Sequence, residues 1–449
     1  MLMTRLGKVI VLGLTIMACT VFHVNTAADL NYLETTNKRV WVDLSEQEID
    51  DWYSPLEICM LKLSDREMSS PKAAYETCQY QGLRNPGHNK GCVLGKGSNK
   101  FPCYPPYTSR KSFTRGLKGY TDSSQKPLLE LLKKLQQHNY TLVLLGDSTM
   151  RQKLNALDCE LKREDNKAWI EGDLRGILPC HSSHKTHFDD ADVGHVSVDI
   201  HAISVGPVSI NCLEGGLHKH DPDGGGFYEN ARDIIYKLNH EEKKNVMLIA
   251  NMGLWFNDEV KFQFALTGMM NWLANVSDTT VGGQVHNMVR WHETMSQHWP
   301  NNVGSGYYFK PMEYGVVFAD RTYNETLETV SAEEWQVPGC CVPITNTSRG
   351  CDWRNEYAED ELKRVQSGRS GHDAEKFGIG RGLGIEVLSF KDVTDPVADM
   401  HVCSPLFKSD CTHYCYWPLM WQPFWHDLRD HAYRLDNMIR VQVQVEASV

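Results

Sequence analysis

Three short stretches carry residue types that could together make and break an acyl bond: Gly146-Asp147-Ser148, Asn251 at the end of NVMLIAN, and Asp410-Cys411-Thr412-His413. Ser148 follows a continuous apolar run, Tyr140–Leu145, and precedes a segment with Met150, Leu154, Leu157 and Leu161 at helical spacing. A serine at such a strand-to-helix junction sits at the carboxyl edge of a sheet, where open α/β sheets bind ligands. The helix amino terminus there favours a developing oxyanion. Ser and Asp are also the preferred helix N-caps, so Gly-Asp-Ser alone does not make a nucleophile. Asp410 precedes His413 by three residues. On a helical turn the two would share a face, and Asp410 would orient His413. His413 would then take the proton of Ser148 and return it to the leaving group. Cys411 and Cys415 flank the histidine, and disulfides there would pin the turn. Asn251 is expected at the same sheet edge as Ser148, where its amide can donate to an oxyanion or simply close a turn.

Other clusters carry less. Cys180, His181, His184 and His187 could hold zinc, but they lack a second ligand pair at typical spacing and read as a solvated loop. Asp223-Gly224-Gly225-Gly226 lacks the Lys-Ser/Thr of a phosphate loop and reads as a turn. Arg290, His292 and Glu293 suit either a polar network that contacts substrate or a structural ion pair. Trp417, Trp421 and Trp425 could stack on sugar rings or fill the core.

The elements that would position these residues are those of an α/β protein. The spacing predicts a helix over residues 128–137, buried strands over 140–145 and 245–251, and an alternating strand over 196–203 nearer an edge. A helix, a buried strand and a second helix in succession imply a parallel sheet covered on both faces. Residues 340–373 read as loops with one short helix, and 417–435 as an aromatic stretch ending in a helical pattern. Residues 29–120 carry Cys59, Cys78, Cys92 and Cys103 among Gly, Pro and Asn clusters, and read as a stapled, loop-rich region wrapping the main domain.

At 449 residues and 41% hydrophobic content the chain can bury a sizeable core, and its net charge of −11 gives a nucleic-acid partner no electrostatic support. Residues 1–28 have the form of a leader: Arg5 and Lys8, an apolar run from Val9 to Phe22, then Thr26-Ala27-Ala28. The run is short for a membrane span of about 20 residues, so a cleaved signal peptide is favoured over a retained anchor. Fourteen cysteines without paired zinc spacing favour disulfides, and sequons stand at Asn139, Asn275, Asn324 and Asn346. The expected compartment is the secretory pathway, as a Golgi-lumenal or secreted glycoprotein with membrane contact only through the leader.

Gly146-Asp147-Ser148-Thr149-Met150-Arg151-Gln152, Asn251-Met-Gly253-Leu-Trp255 and Asp410-Cys411-Thr-His413-Tyr-Cys415 resemble the trichome birefringence-like/PC-esterase branch of the SGNH (GDSL-like) hydrolase superfamily. Between the last two, Arg290-Trp-His-Glu293-Thr294 and His298-Trp299 are similar to the family's Arg-x-Thr…His-aromatic segment, with extra residues between Arg and Thr. The resemblance covers about residues 121–430, with 431–449 as a C-terminal tail. It implies a flavodoxin-like three-layer α/β/α fold, a Ser148-His413-Asp410 triad, no metal and no bound organic cofactor. It further implies an acyl-serine intermediate and O-acetyl transfer from an acyl donor to glycan hydroxyls, with an ester hydrolase or a non-catalytic glycan-binding protein as alternatives. Ser148, Asn251 and Arg151 are the implied oxyanion donors, joined by a glycine from among Gly206, Gly215 and Gly216. Trp255, Arg290 and His298 are the implied substrate contacts. The chain departs from the plant members before residue 120 and over Tyr416–Trp425, so plant cell-wall xylan or pectin is not implied.

Overall fold

The computed structural model describes residues 40–53, 115–165, 167–172, 181–204, 229–254, 259–278, 280–281, 285–298, 352–369, 384–397, 400–404, 407–414 and 418–448. The side chains of Arg151 and of residues 402–413 are outside that description, as are the leader, most of the Cys-rich region and Trp255. The described elements belong to a compact unit, Trp41–Val449.

Strand β1 (Trp41–Asp43) pairs antiparallel with β2 (Arg115–Leu117), and helix α1 (Glu46–Tyr53) follows β1. Trp52 of α1 is fully buried and donates its indole N–H to the Thr121 carbonyl at 2.9 Å. The main body begins with α2 (Pro127–Gln137), whose proline stands in the first turn, where its missing N–H costs nothing. It continues with β3 (Tyr140–Gly146), α3 (Ser148–Glu164), β4 (Trp169–Glu171), β5 (His181–Asp190) and β6 (Gly194–Ser204). Next come α4 (Glu229–Tyr236), extended by a π turn at Lys237–Glu241, then β7 (Asn245–Ala250) and α5 (Glu259–Asp278). A short β8 (Thr280–Val281) and β9 (Val285–His286) hairpin leads to β10 (Met288–His292). The last elements are α6 (Asp352–Arg369), β11 (Ile385–Leu388), α7 (Lys391–Thr394), β12 (His401–Ser404), β13 (Phe407–Tyr414) and α8 (Pro418–Ser448).

Seven strands form the central sheet in the order β11-β10-β7-β3-β6-β5-β4. The pairings from β11 through β6 are parallel, and β5 and β4 extend the sheet antiparallel. By first appearance the parallel strands run 2-1-3-4-5, so the winding reverses between β3 and β7. That reversal opens a crevice at the carboxyl ends of these two strands. Side chains alternate across β3. Leu142 and Leu144 join a core with α2, α3 and α8, whereas Val143 and Leu145 join a second core with α4, α5 and α6. Helices thus cover both faces, and each fully buried leucine contributes about 1.5–3 kcal/mol.

Four expectations change. The 196–203 strand is interior, because β5 and β4 lie outside it. Residues 181–187, expected as a loop, belong to β5. The segment expected as loops with one short helix contains α6, 18 residues long. Helix α8 runs through the expected tail to Ser448.

Candidate active site

The carboxyl edge at the β3–β7 reversal is built from the Gly146-Asp147-Ser148 turn. Asp147 caps α3: one carboxylate oxygen accepts from the Thr149 backbone N–H at 3.0 Å and from the Thr149 hydroxyl at 2.7 Å. Its other oxygen accepts from Leu254 N–H at 3.4 Å, tying the turn to the loop after β7. With Asp147 committed to the cap, half-buried Ser148 is the first helical residue, at the carboxyl end of β3. Gly146 is required by close approach: a Cβ there would lie 2.9 Å from the Asn251 carbonyl oxygen and would collide with the Met150 side chain. Asn251 N–H in turn donates to the Leu145 carbonyl at 2.9 Å.

Asn251 is buried, and one of its amide N–H bonds goes to the His292 carbonyl at 2.8 Å. Its side-chain oxygen has no partner among the described residues. The three strand ends β3, β7 and β10 are therefore stitched together at one edge. Gly253 packs so tightly on Thr294 that a Cβ would overlap its hydroxyl. Thr294 is held by Asn355 of α6, which accepts from its N–H at 2.8 Å and donates to its carbonyl at 3.1 Å. Glu293 caps α7, accepting from the backbone N–H groups of Phe390 (2.9 Å) and Lys391 (3.0 Å).

Asp410 and His413 lie on β13, not on a helical turn. The pairing partner decides this: β12 and β13 form an antiparallel hairpin in which His401 faces Tyr414 but Val402 faces Asp410. Cys411, Thr412 and His413 are consequently extra residues opposite a single step of β12, a bulge rather than a helix. The helical i,i+3 argument for orienting His413 does not hold. Another device anchors the segment. Gln152 donates to the Tyr414 carbonyl at 2.7 Å and accepts from the Tyr414 N–H at 3.2 Å. Ser148 and Gln152 are one helical turn apart on the same face of α3. The residue following His413 is thus bolted to the Ser148 helix. The Tyr414 hydroxyl donates to the Ser296 carbonyl at 2.7 Å, and its ring lies 4.0 Å from that of His401.

His298 is buried beside this hairpin: its Nδ1 is 2.6 Å from His401 Nε2 and its Nε2 is 2.9 Å from the Asp395 carbonyl. Arg290 is turned elsewhere, ion-paired with Glu386, which also bonds His431 (3.1 Å) and Arg434 (2.9 Å). Burial opposes ionisation of Glu386, but His431, Arg290 and Arg434 overcome it and hold the carboxyl well below its usual range. Arg290 thus joins β10 and β11 to α8. Trp421 and Trp425 are fully buried in the core, which removes them as sugar platforms. Asn139 and Asn275 are exposed. Trp255, Trp417, Asn324, Asn346 and the candidate glycines Gly206, Gly215 and Gly216 lie outside the described residues.

One site neighbour went unread in the sequence. Lys153 of α3 is fully buried, its amine 3.8 Å from the Met295 sulfur and 5.6–6.0 Å from the ring centres of Trp421, Phe424 and Phe390. Burial pulls its pKa down to about 7, against the opposing pull of Asp147. The available signal was its place within the apolar stripe, between Met150 and Leu157.

A groove of about 640 Å³ runs between α5 and α6, lined by Val260, Phe264 and Tyr357. Among the described residues no three His, Cys, Asp or Glu side chains converge as a metal site, and no helix is long and apolar enough to cross a membrane. Comparison with protein-family models, curated proteins and solved structures returns no match.

Proposed function

We propose that the chain is an SGNH-type O-acyltransferase that transfers an acyl group, with acetyl expected, onto glycan hydroxyls in the secretory pathway. The observation that carries the reading is the fastening of Tyr414 to Gln152, which brings the His413 segment to the α3 turn that begins with Ser148. The 2-1-3-4-5 strand order supports the flavodoxin-like form of that fold, with Ser148 and Asn251 at the reversal. The buried disulfide-bonded Cys159 and the exposed sequon residues Asn139 and Asn275 agree with an oxidising, glycosylating compartment.

In this mechanism the Ser148 oxygen attacks the acyl carbon of the donor while His413 takes the serine proton. The tetrahedral oxyanion is met by the amino end of α3, by the second N–H of the Asn251 amide and by Arg151. Collapse expels the donor's leaving group, which receives the proton from His413. A sugar hydroxyl then attacks the acyl-serine, His413 takes its proton, and the ester product leaves with the proton back on Ser148. Asp410 is given the orienting role by the family resemblance alone.

The test is to incubate purified protein with an acetyl donor and a glycan panel, reading product mass and labelling by a serine-directed fluorophosphonate. Wild type is expected to label and to form acetylated glycan; Ser148→Ala and His413→Gln are expected to lose both. Acetate release that glycan does not divert would make the protein a hydrolase. Wild-type transfer by Ser148→Ala, or no labelling of native protein, would overturn the reading.

A further inference from the structure

Two buried histidines that the proposed reaction does not use hold the hairpin that carries His413. His401 of β12 pairs with Tyr414 of β13, the residue after His413. His401, His298 and Tyr414 are each 1% exposed. The ring centres of His298 and His401 are 4.8 Å apart and steeply inclined, so the two imidazoles meet nitrogen to nitrogen and do not stack.

The carbonyl of Asp395 fixes which way this contact runs. His298 Nε2 is 2.9 Å from that carbonyl, and a carbonyl only accepts, so Nε2 carries a hydrogen. In the neutral ring Nδ1 is then an acceptor. It lies 2.6 Å from His401 Nε2, which therefore donates to it. The Tyr414 hydroxyl is 3.4 Å from the same Nδ1 but 2.7 Å from the Ser296 carbonyl, and its hydrogen goes to Ser296. Asp395 is itself held: its carboxylate accepts from the Ser296 hydroxyl and pairs with Lys391 of α7. A directed chain thus runs from His401 through His298 to the end of α7. With both ring nitrogens of His298 engaged inside the protein, its expected role as a substrate contact is replaced by a bond to the hairpin.

We infer that His401 and His298 are positioning residues for His413. They fasten the Tyr414 end of β13 to the segment between β10 and α7, while Gln152 fastens the Tyr414 backbone to α3. A general base acts only within hydrogen-bond reach of its proton, and a misplacement of about 1 Å costs about a hundredfold in rate. The inference rests on the acyl-transfer reading, in which His413 is that base.

The experiment measures fluorophosphonate labelling of Ser148 in the full-length protein between about pH 5 and pH 9, per folded molecule by circular dichroism. In this reaction Ser148 attacks phosphorus, His413 takes its proton and fluoride leaves. His401→Leu cannot donate to His298, whereas the amide nitrogen of His401→Gln can stand where Nε2 stood. His298→Gln keeps a donor for the Asp395 carbonyl but has no acceptor at the Nδ1 position. Labelling by His401→Leu and His298→Gln is expected to be at least about tenfold slower, with the pH of half-maximal rate displaced. His401→Gln is expected to stay within about threefold of wild type and to keep its pH midpoint. Histidines that only stabilise the fold would change the amount of folded protein, not its rate or pH midpoint. Wild-type rate and midpoint in His401→Leu and His298→Gln, or a loss in His401→Gln equal to that in His401→Leu, would overturn the positioning role alone. A wild type that fails to label at any pH would overturn the acyl-transfer reading and this role with it.

Discussion

Replacing Lys153 with Met should stabilise the protein, by an amount that depends on pH in a defined way. Among the described residues no carboxylate is in contact with the ammonium of Lys153; its described neighbours are the Met295 sulfur and three aromatic faces. Its folded pKa falls from the ordinary 10.5 to about 7, chiefly through burial. At about 1.4 kcal/mol per pKa unit, this amounts to about 5 kcal/mol held against folding below pH 7. The three ring faces return about 0.5–1 kcal/mol each to the charged form, which leaves about 2–4 kcal/mol. Between pH 7 and 10.5 the unfolded chain holds a proton that the folded amine has lost, so wild-type stability rises with pH across that window. Methionine is unbranched and fills the same channel without a charge. Urea unfolding of wild type and Lys153→Met should therefore show the variant about 2–4 kcal/mol more stable near pH 6, with the gap closing towards pH 10. A variant less stable by more than about 1 kcal/mol, or a gap unchanged between about pH 6 and 9, would show that the amine is charged and satisfied in the fold, refuting the reasoning.

Gln152→Ala strips both bonds from the Tyr414 backbone, and should cost about 2–4 kcal/mol in urea unfolding and most of the acyl turnover. Gln152→Glu keeps the acceptor but not the donor and should fall between. Gly146→Ala drives a methyl onto the Asn251 carbonyl and Met150, so the unfolding midpoint should drop by the equivalent of about 1–3 kcal/mol; an unchanged midpoint would mean that the β3 and β7 ends are not locked together. Glu386→Gln leaves Arg290 and Arg434 without their carboxylate, but Glu386 is 37% exposed and solvent screens the cluster, so about 1–2 kcal/mol is expected at neutral pH. Because the folded carboxyl is held below its ordinary 4.5, that contribution is present above pH 4.5 and shrinks as pH falls further; acid titration of the two proteins by circular dichroism should converge.

The parts of the edge that were legible in the sequence are those whose signal is local. Strands β3 and β7 are buried on both faces, so each reads as an unbroken apolar run whose last residues must reach the carboxyl edge. That logic places Gly146-Asp147-Ser148 and Asn251 at one edge, and the Leu145–Asn251 bond is its physical expression. Helix α2 was legible for the same reason, from the spacing of Leu128, Leu131, Leu132 and Leu135.

Where the outcome depends on a distant partner, local reading fails in a consistent direction. Asp410-x-x-His413 has helical spacing, but His401–Ser404 supplies a strand, and pairing overrides spacing. Strand β5 spends its inward positions on His184, Thr186 and Phe188, too little apolar weight to be told from a polar loop. Its His181 met His201 only through a register that no local pattern encodes. Lys153 was hidden the opposite way, since a charged residue on an apolar stripe is normally free to reach solvent along its own stem. Here Trp421 and Phe424 of α8 and Phe390 after β11 close over the amine, and these residues lie more than two hundred positions away in sequence. Lys153 and Glu386, whose chemistry the fold alters strongly, are surrounded by residues from remote elements: burial and charge are properties of the assembled packing, whereas strand ends are properties of the chain.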